Sequence, residues 1–221
     1  MGASFSRTVD EIISKFPSVN PVAFQIPLGI ESSLEGIVDL VDMKLLRFSG
    51  EEGSVVEAVD IPDSVISEVA DAREKLISTL AEASDAIADL YLAERQIAPE
   101  LIRIETRKAV LAGKLCPIFA GAARKNIGIQ PLLDAVCLYL PSPSDRGNIP
   151  AHSPKDGASL AVHPDDPDFS ALVFKVIAGG SADLLYTRTY SGSLKLNDTL
   201  WNPRTKEKVR IKRILRLFAK N

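Results

Sequence analysis

Apolar positions recur every three or four residues in some stretches of the chain and every second residue in others, and these two periods predict its elements. Phe5, Val9, Ile12, Ile13 and Phe16 follow helical spacing, which predicts a helix that Pro17 ends and Ser4 or Ser6 caps. Residues 22–28, VAFQIPL, read as one extended strand with Pro27 near its end. Residues 34–62 are β-branched and broken by short turn signals, which predicts two or three short antiparallel strands. Pro62 and Asp63 mark the next helix start. From there Ile66, Val69, Leu76, Leu80, Ala83, Ile87 and Leu90 recur at three or four residues, giving one long helix or two that meet near Ser84 and Asp85. A further helix begins at Pro99, a residue suited to a first turn, and stops at Gly113, with Arg107 and Lys108 near its carbonyl end.

Residues 117–120 read as a short buried strand that stops in a loop of small and basic residues. The loop opens a helix whose buried stripe is expected to be Ile129, Leu132, Leu133, Val136 and Leu140. Residues 144–168 are rich in Pro, Ser, Gly and Asp and are expected to form a domain linker. Beyond them the period changes to two. FSALVFKVI and LLYTRTYSG alternate, and hairpin signals follow at SG, ND and NPRTKEK. This pattern predicts the start of an all-β module, the front of a small barrel with too few strands to close. Open sheet edges are an aggregation hazard, so the chain is expected to be a piece of something longer.

Charge divides the chain. From residue 184 onward ten bases (Arg188, Lys195, Arg204, Lys206, Lys208, Arg210, Lys212, Arg213, Arg216 and Lys220) face only Asp198 and Glu207, a net of +8 that leaves −11 to the remainder of a chain totalling −3. An acidic and a basic portion point to two different partners, the plain alternative being that both keep surfaces solvated. Apolar residues make up 46% of the 221, enough for a sizeable core. The apolar runs are too short to span a bilayer. Cys116 and Cys137 sit among apolar residues without metal-ligand spacing and are expected to be buried thiols in a reducing compartment; His152 and His163 are expected to be solvated.

Strand–loop–helix units bind ligands beyond the strand's carboxyl end. In AGAARKNIG, the small residues Gly121, Ala122 and Ala123 would let backbone N–H groups approach a flat ligand, although a plain tight connection explains the same residues. The succession GASFSRTVDEI, PLGIESSLEGIVDLVDMK, AGAARKNIGIQPLLDAVCLYLPSP, FSALVFKV and RTYSG resembles the elongation factor G family of translational GTPases, in the family's order and over nearly the whole chain. The long insertion between residues 28 and 117 resembles that family's extra subdomain.

The resemblance implies a fold of α/β plus all-β class. Residues 1–30 and 114–143 would be the C-terminal elements of a P-loop GTPase domain and 31–113 an inserted α+β subdomain. The start of a β-barrel would follow at 169–221. It implies a ribosomal GTPase that drives translocation of transfer and messenger RNA, and ribosome recycling, as a cytoplasmic monomer away from membranes. Ala122, Ala123 and Arg124 match the family's last guanine-recognition loop. Ala123 matches the alanine whose backbone N–H contacts the guanine carbonyl, and Ala122 replaces a loop-bracing serine. The chain itself carries no G-x-x-x-x-G-K-S/T loop, no Asp-x-x-Gly and no Asn-Lys-x-Asp, and AGKLC at residues 112–116 only echoes the first. GTP or GDP and Mg²⁺ are therefore expected in a longer parent, with the phosphate equipment upstream, and neither binding nor hydrolysis by these residues alone. Glu82, Asp85 and Asp89, at i, i+3 and i+7 on one helix face, match the subdomain that touches the lysine-bearing ribosomal stalk protein. Arg188, Tyr190, Ser191 and Gly192, with Arg210, Lys212 and Arg216 alternating along one strand face, match the barrel that rests on small-subunit ribosomal RNA. Two alternatives stay open: a non-catalytic ribosome-binding module, or a paralogue with weakened guanine recognition.

Overall fold

The structure, a computed structural model, describes residues 2–153, 156–179 and 183–216; Lys220, the last base of the tail, lies outside them. The chain divides into two compact units, Met1–Leu140 and Pro141–Asn221.

In the first unit, helix α1 (Phe5–Lys15) starts where the Ser4 hydroxyl accepts the Arg7 N–H at 3.4 Å. Asn20, in the left-handed region at φ 46, turns the chain into strand β1 (Pro21–Ala23). Phe24 follows, and then β2 (Gln25–Leu28), which pairs with β3 (Gly36–Asp39). Strands β4 (Lys44–Ser49) and β5 (Val55–Val59) complete an antiparallel sheet in the order β2-β3-β4-β5, as the turn signals predict. The single strand expected over residues 22–28 is two strands in two sheets. β1 instead pairs in parallel with β6 (Cys116–Ile118). The reason is Phe24: its N–H bonds to the Ile118 carbonyl at 2.9 Å and its carbonyl accepts the Leu40 N–H at 3.0 Å, so one residue changes partners. The four-stranded sheet thus begins at Gln25.

Three helices close the sheet. Helix α2 (Ile66–Ala81) and α3 (Asp85–Leu92) are separate, because the Ser84 hydroxyl accepts the Ile87 N–H and caps the second. Helix α4 (Pro99–Leu111) ends before Gly113, which takes φ +68. Phe24, Leu40, Leu45, Leu76, Leu80, Ile87 and Ile102 are each no more than 1% exposed. They share one hydrophobic cluster with Val22, Leu115, Ala135 and Tyr139. The four-stranded sheet, helices α2–α4 and the strand–helix elements β1, β6 and α5 therefore have a common core.

Helix α5 (Ile129–Tyr139) departs from expectation. Its buried residues are Ala135 and Tyr139, whereas Leu132, Leu133, Val136 and Leu140 are 41–59% exposed. The helix is apolar on more than one side. The side that packs is the one whose Tyr139 ring meets Phe24 at 5.7 Å and Phe119 at 6.4 Å. Cys116 and Cys137 are exposed free thiols, not buried ones, because they lie on the uncovered sides of β6 and α5.

The second unit consists of three antiparallel hairpins: β7 (Ile149–His152) with β8 (Ser159–Val162), β9 (Ser170–Ile177) with β10 (Leu184–Ser191), and β11 (Thr199–Asn202) with β12 (Glu207–Arg210). The linker expected over residues 144–168 thus contains a hairpin. Its turn is closed by Ser153 N–H on the Ala158 carbonyl at 2.8 Å, with Gly157 at φ +73. Among the described residues the strands form separate pairs, and Leu172, Phe174, Val176 and Leu185 stand exposed.

Candidate functional site

The residues matched to guanine recognition form a tight loop at the end of β6. Ala122 and Ile127 exchange backbone hydrogen bonds, N–H to carbonyl, at 2.9 and 3.3 Å. Between them Ala123–Lys125 make one 3-10 turn, and Asn126 at φ 54 reverses the chain. The first N–H groups of a helical turn have no partner within it. Accordingly the N–H groups of Ala123 and Arg124 have no partner among the described residues, and both residues are exposed. The loop thus leaves two backbone donors unpartnered, among the described residues, on exposed residues of a short, closed backbone ring. A carbonyl oxygen on a planar ligand fits such donors; the loop's own side chains add the Arg124 and Lys125 cations and the Asn126 amide.

Contacts that sequence reasoning missed hold this loop to the sheet. Gln130 Nε2 donates to the Gly53 carbonyl at 3.0 Å across 77 positions of chain. A Cβ at Gly53 would lie 3.0 Å from the Lys125 carbonyl, and one at Gly128 would lie 2.7 Å from Ile37 Cδ1. The only sequence signal of this arrangement is the glycine content of both turns.

Glu82, Asp85 and Asp89 are all exposed but do not share one helix. Glu82 is the C-cap of α2, and Asp85 and Asp89 belong to α3, so the helical spacing is broken between the first and the second. Asp85 in the first turn also complements the helix dipole, a local role for that carboxylate. At the break, the buried Ser84 hydroxyl donates to Glu105 Oε2 at 2.8 Å, and Lys108 Nζ donates to Glu105 Oε1 at 2.6 Å. Lys108 first and Ser84 second hold the Glu105 carboxyl below the ordinary carboxylate range.

In the second unit the four matched residues of β10 separate into two kinds. The Arg188 guanidinium lies 5.6 Å from the centre of the Tyr190 ring, and Arg188 is exposed. Ser191 is buried and its hydroxyl donates to the Asp168 carbonyl at 2.7 Å. A Cβ at Gly192 would lie 2.7 Å from Phe169 N, so that glycine permits a close chain approach. Ser191 and Gly192 therefore fasten the end of β10, while Arg188 is exposed against the half-buried Tyr190 ring. Arg210 ends β12, with Nη2 donating to Asn197 Oδ1 at 3.3 Å. Lys212 and Arg216 lie beyond the strand, so the expected alternation along one strand face stops at Arg210. Arg188, Lys195, Arg204, Lys206, Lys208, Arg210, Lys212, Arg213 and Arg216 are exposed and form no ion pair among the described residues.

Two open clefts lie in the first unit. One, of about 740 Å³, runs between α2 and residues 91–97, where the Tyr91 hydroxyl donates to Glu74 Oε1 at 2.5 Å. The other, of about 630 Å³, is bounded by Gln25, Asp39, Asp42, Arg103 and Tyr139. Its charged groups serve the fold: Asp39 Oδ1 accepts the Val41 and Asp42 N–H groups at 2.9 Å, and Asp42 pairs with Arg103. Burial, then the Asp39 charge, pushes the Tyr139 phenol up to about 12. Among the described residues no three His, Cys, Asp or Glu side chains group as a metal site, and no helix is long and apolar enough to cross a membrane.

The fold is of mixed α/β class with several small sheets. A crystal structure of a Thermus thermophilus protein shares it at a TM-score of 0.70, covering 95% of this chain and 28% of that one at 23% identity. No protein-family model matches the chain. Elongation factor G of Thermotoga maritima is 38% identical over 221 residues, 99% of this chain, and that of Thermotoga neapolitana is 37% identical over the same share. The chain spans about a third of the length of these curated relatives, 32% in each case. It is thus similar from end to end to one part of elongation factor G, and the resemblance read from the sequence holds.

Proposed function

We propose that these residues form the base-facing lip of a guanine-nucleotide site together with two ribosome-binding surfaces of a translational GTPase that drives translocation and ribosome recycling. The observation that carries the reading is the Ala123 N–H. It is unpartnered among the described residues, on an exposed residue held in a closed turn, at the position where the family's alanine contacts the guanine carbonyl. Ala122 and Arg124 flank it, and Arg124 contributes a second free N–H.

GTP or GDP with Mg²⁺ fits the chain only at the base. The phosphate cradle, the lysine and the metal-holding hydroxyl that phosphoryl transfer requires are not among its motifs. The role of these residues is therefore to recognise and orient the base, not to act on the phosphates. The exposed Glu82, Asp85 and Asp89 meet a lysine-bearing stalk domain, and opposite charge there speeds encounter more than it tightens the complex. Arg188, Tyr190, Arg210, Lys212 and Arg216 contact ribosomal RNA phosphates and stacked surfaces.

Calorimetry tests the nucleotide part. The 221-residue chain alone is expected to show no micromolar GTP affinity, and the full-length gene product that contains it to bind GDP in preference to ADP. Micromolar GTP binding by the chain alone, or no guanine preference in the full-length product, refutes the reading. A second reading is favoured by one residue: Ala122 offers no hydroxyl to brace the loop, as in a paralogue with weaker guanine recognition.

A further inference from the structure

We infer that the turn between β4 and β5, residues 50–54, is a brace for the base-facing loop, so that the insert's sheet sets how firmly the loop holds a guanine base; this rests on the nucleotide reading above. Three contacts carry the inference. Gln130, in the first turn of α5, donates Nε2 to the Gly53 carbonyl at 3.0 Å. Gly53 sits at φ +66, and the place a Cβ would occupy lies 3.0 Å from the Lys125 carbonyl, so the two backbones meet with no side chain between them. Gly128 sits at φ +79, and a Cβ there would stand 2.5 Å from the Ala120 carbonyl and 2.7 Å from Ile37 Cδ1, so the downstream end of the loop lies directly on β3.

These contacts fall at Lys125, Gly128 and Gln130, on the downstream side of Ala123 and Arg124, the residues with free N–H groups. Within the loop, the two bonds between Ala122 and Ile127 and the 3-10 turn fix its shape but not its direction. Side-chain bracing from residue 122 is absent, since alanine has no hydroxyl. Direction therefore comes from the sheet. A donor whose peptide plane is fixed before binding loses less on binding than one that must be ordered by the ligand. Gln130 Oε1 is buried without a partner among the described residues, so its amide is held through Nε2, and the Gly53 bond is the interaction that keeps it in place. Gln130 and Gly53 are positioning residues, acting through the loop rather than on the base.

The test uses the full-length gene product that contains these residues, with Gln130→Ala and, as a second variant, Gly53→Ala. Release of a fluorescent GDP analogue and amide hydrogen exchange at Ala122 and Ile127 are measured together. One neutral hydrogen bond predicts release about fivefold faster in Gln130→Ala, with exchange at both amides faster by a similar factor. Exchange in β3 and β4 stays as in the parent. Unchanged exchange at Ala122 and Ile127 in both variants overturns the brace. Faster exchange with unchanged release overturns its link to the base. A parent protein that does not retain the analogue overturns the nucleotide reading instead, and the exchange data then show whether the brace exists without it.

Discussion

Replacing Ser84 by alanine removes two interactions from one buried point. The hydroxyl accepts the Ile87 N–H at 3.4 Å as the cap of α3 and donates to Glu105 Oε2 of α4 at 2.8 Å. Loss of a cap costs about 1 kcal/mol. Loss of a hydrogen bond to a charged group costs about 2 kcal/mol. Together these predict about 3 kcal/mol, and at about 3–4 °C per kcal/mol for a unit of this size Ser84→Ala lowers Tm by about 10 °C. The effect depends on pH with a definite sign. Glu105 has a depressed folded-state pKa, owed first to Lys108 and then to Ser84. Its stabilisation is present above the ordinary glutamate pKa of about 4.3 and disappears as pH falls through the folded value. The variant has already lost the Ser84 share, so the gap between its Tm and that of the parent narrows as pH falls through the folded Glu105 value, down to the part that the α3 cap contributes. Thermal melts followed by circular dichroism at about pH 7 and in steps down to about pH 3 measure both quantities. A Tm change under about 3 °C at neutral pH, or a gap that does not narrow with acid, refutes the reasoning.

Charge reversal of Glu82, Asp85 and Asp89 to lysine slows association with a lysine-bearing stalk domain severalfold at low salt and less at high salt, measured by stopped flow; an unchanged association rate removes that surface from the proposal. Substituting Arg210, Lys212 and Arg216 by alanine lowers the slope of log affinity against log salt for ribosomal RNA by about 2–3, since each phosphate contact contributes about 0.7–0.9; an unchanged slope shows that these side chains do not meet phosphate.

Much of the first unit was legible because its helices carry their own boundaries. Ser4 and Pro17 delimit α1, and Pro99 and Gly113 delimit α4. What failed involved choices between two equally apolar or equally polar sides. The period of α5 marks a helix but does not say that Ala135 and Tyr139 would be the packed side, since Leu132, Leu133 and Val136 are as apolar. The strand at residues 22–28 reads as continuous because changing partners at Phe24 costs no residue and leaves no composition signal. The hairpin at β7 and β8 was hidden by its Pro, Ser and Asp content, although the Asp156 and Gly157 pair is a turn signal. At the candidate site the loop itself was legible, and its small residues do frame free N–H groups. The partners of that loop were not, because Gly53 and Gln130 are 77 positions apart and neither residue type announces the other.

Phe24 has a mechanical consequence. A hinge needs a residue whose backbone torsions can change without breaking bonds or packing. At Phe24 the N–H and the carbonyl are each tied to a different sheet, and the side chain is 1% exposed within the aromatic cluster. Rotation there would cost hydrogen bonds on both sides at once. The crossing at Phe24 therefore offers no hinge between the four-stranded sheet and the parallel pair.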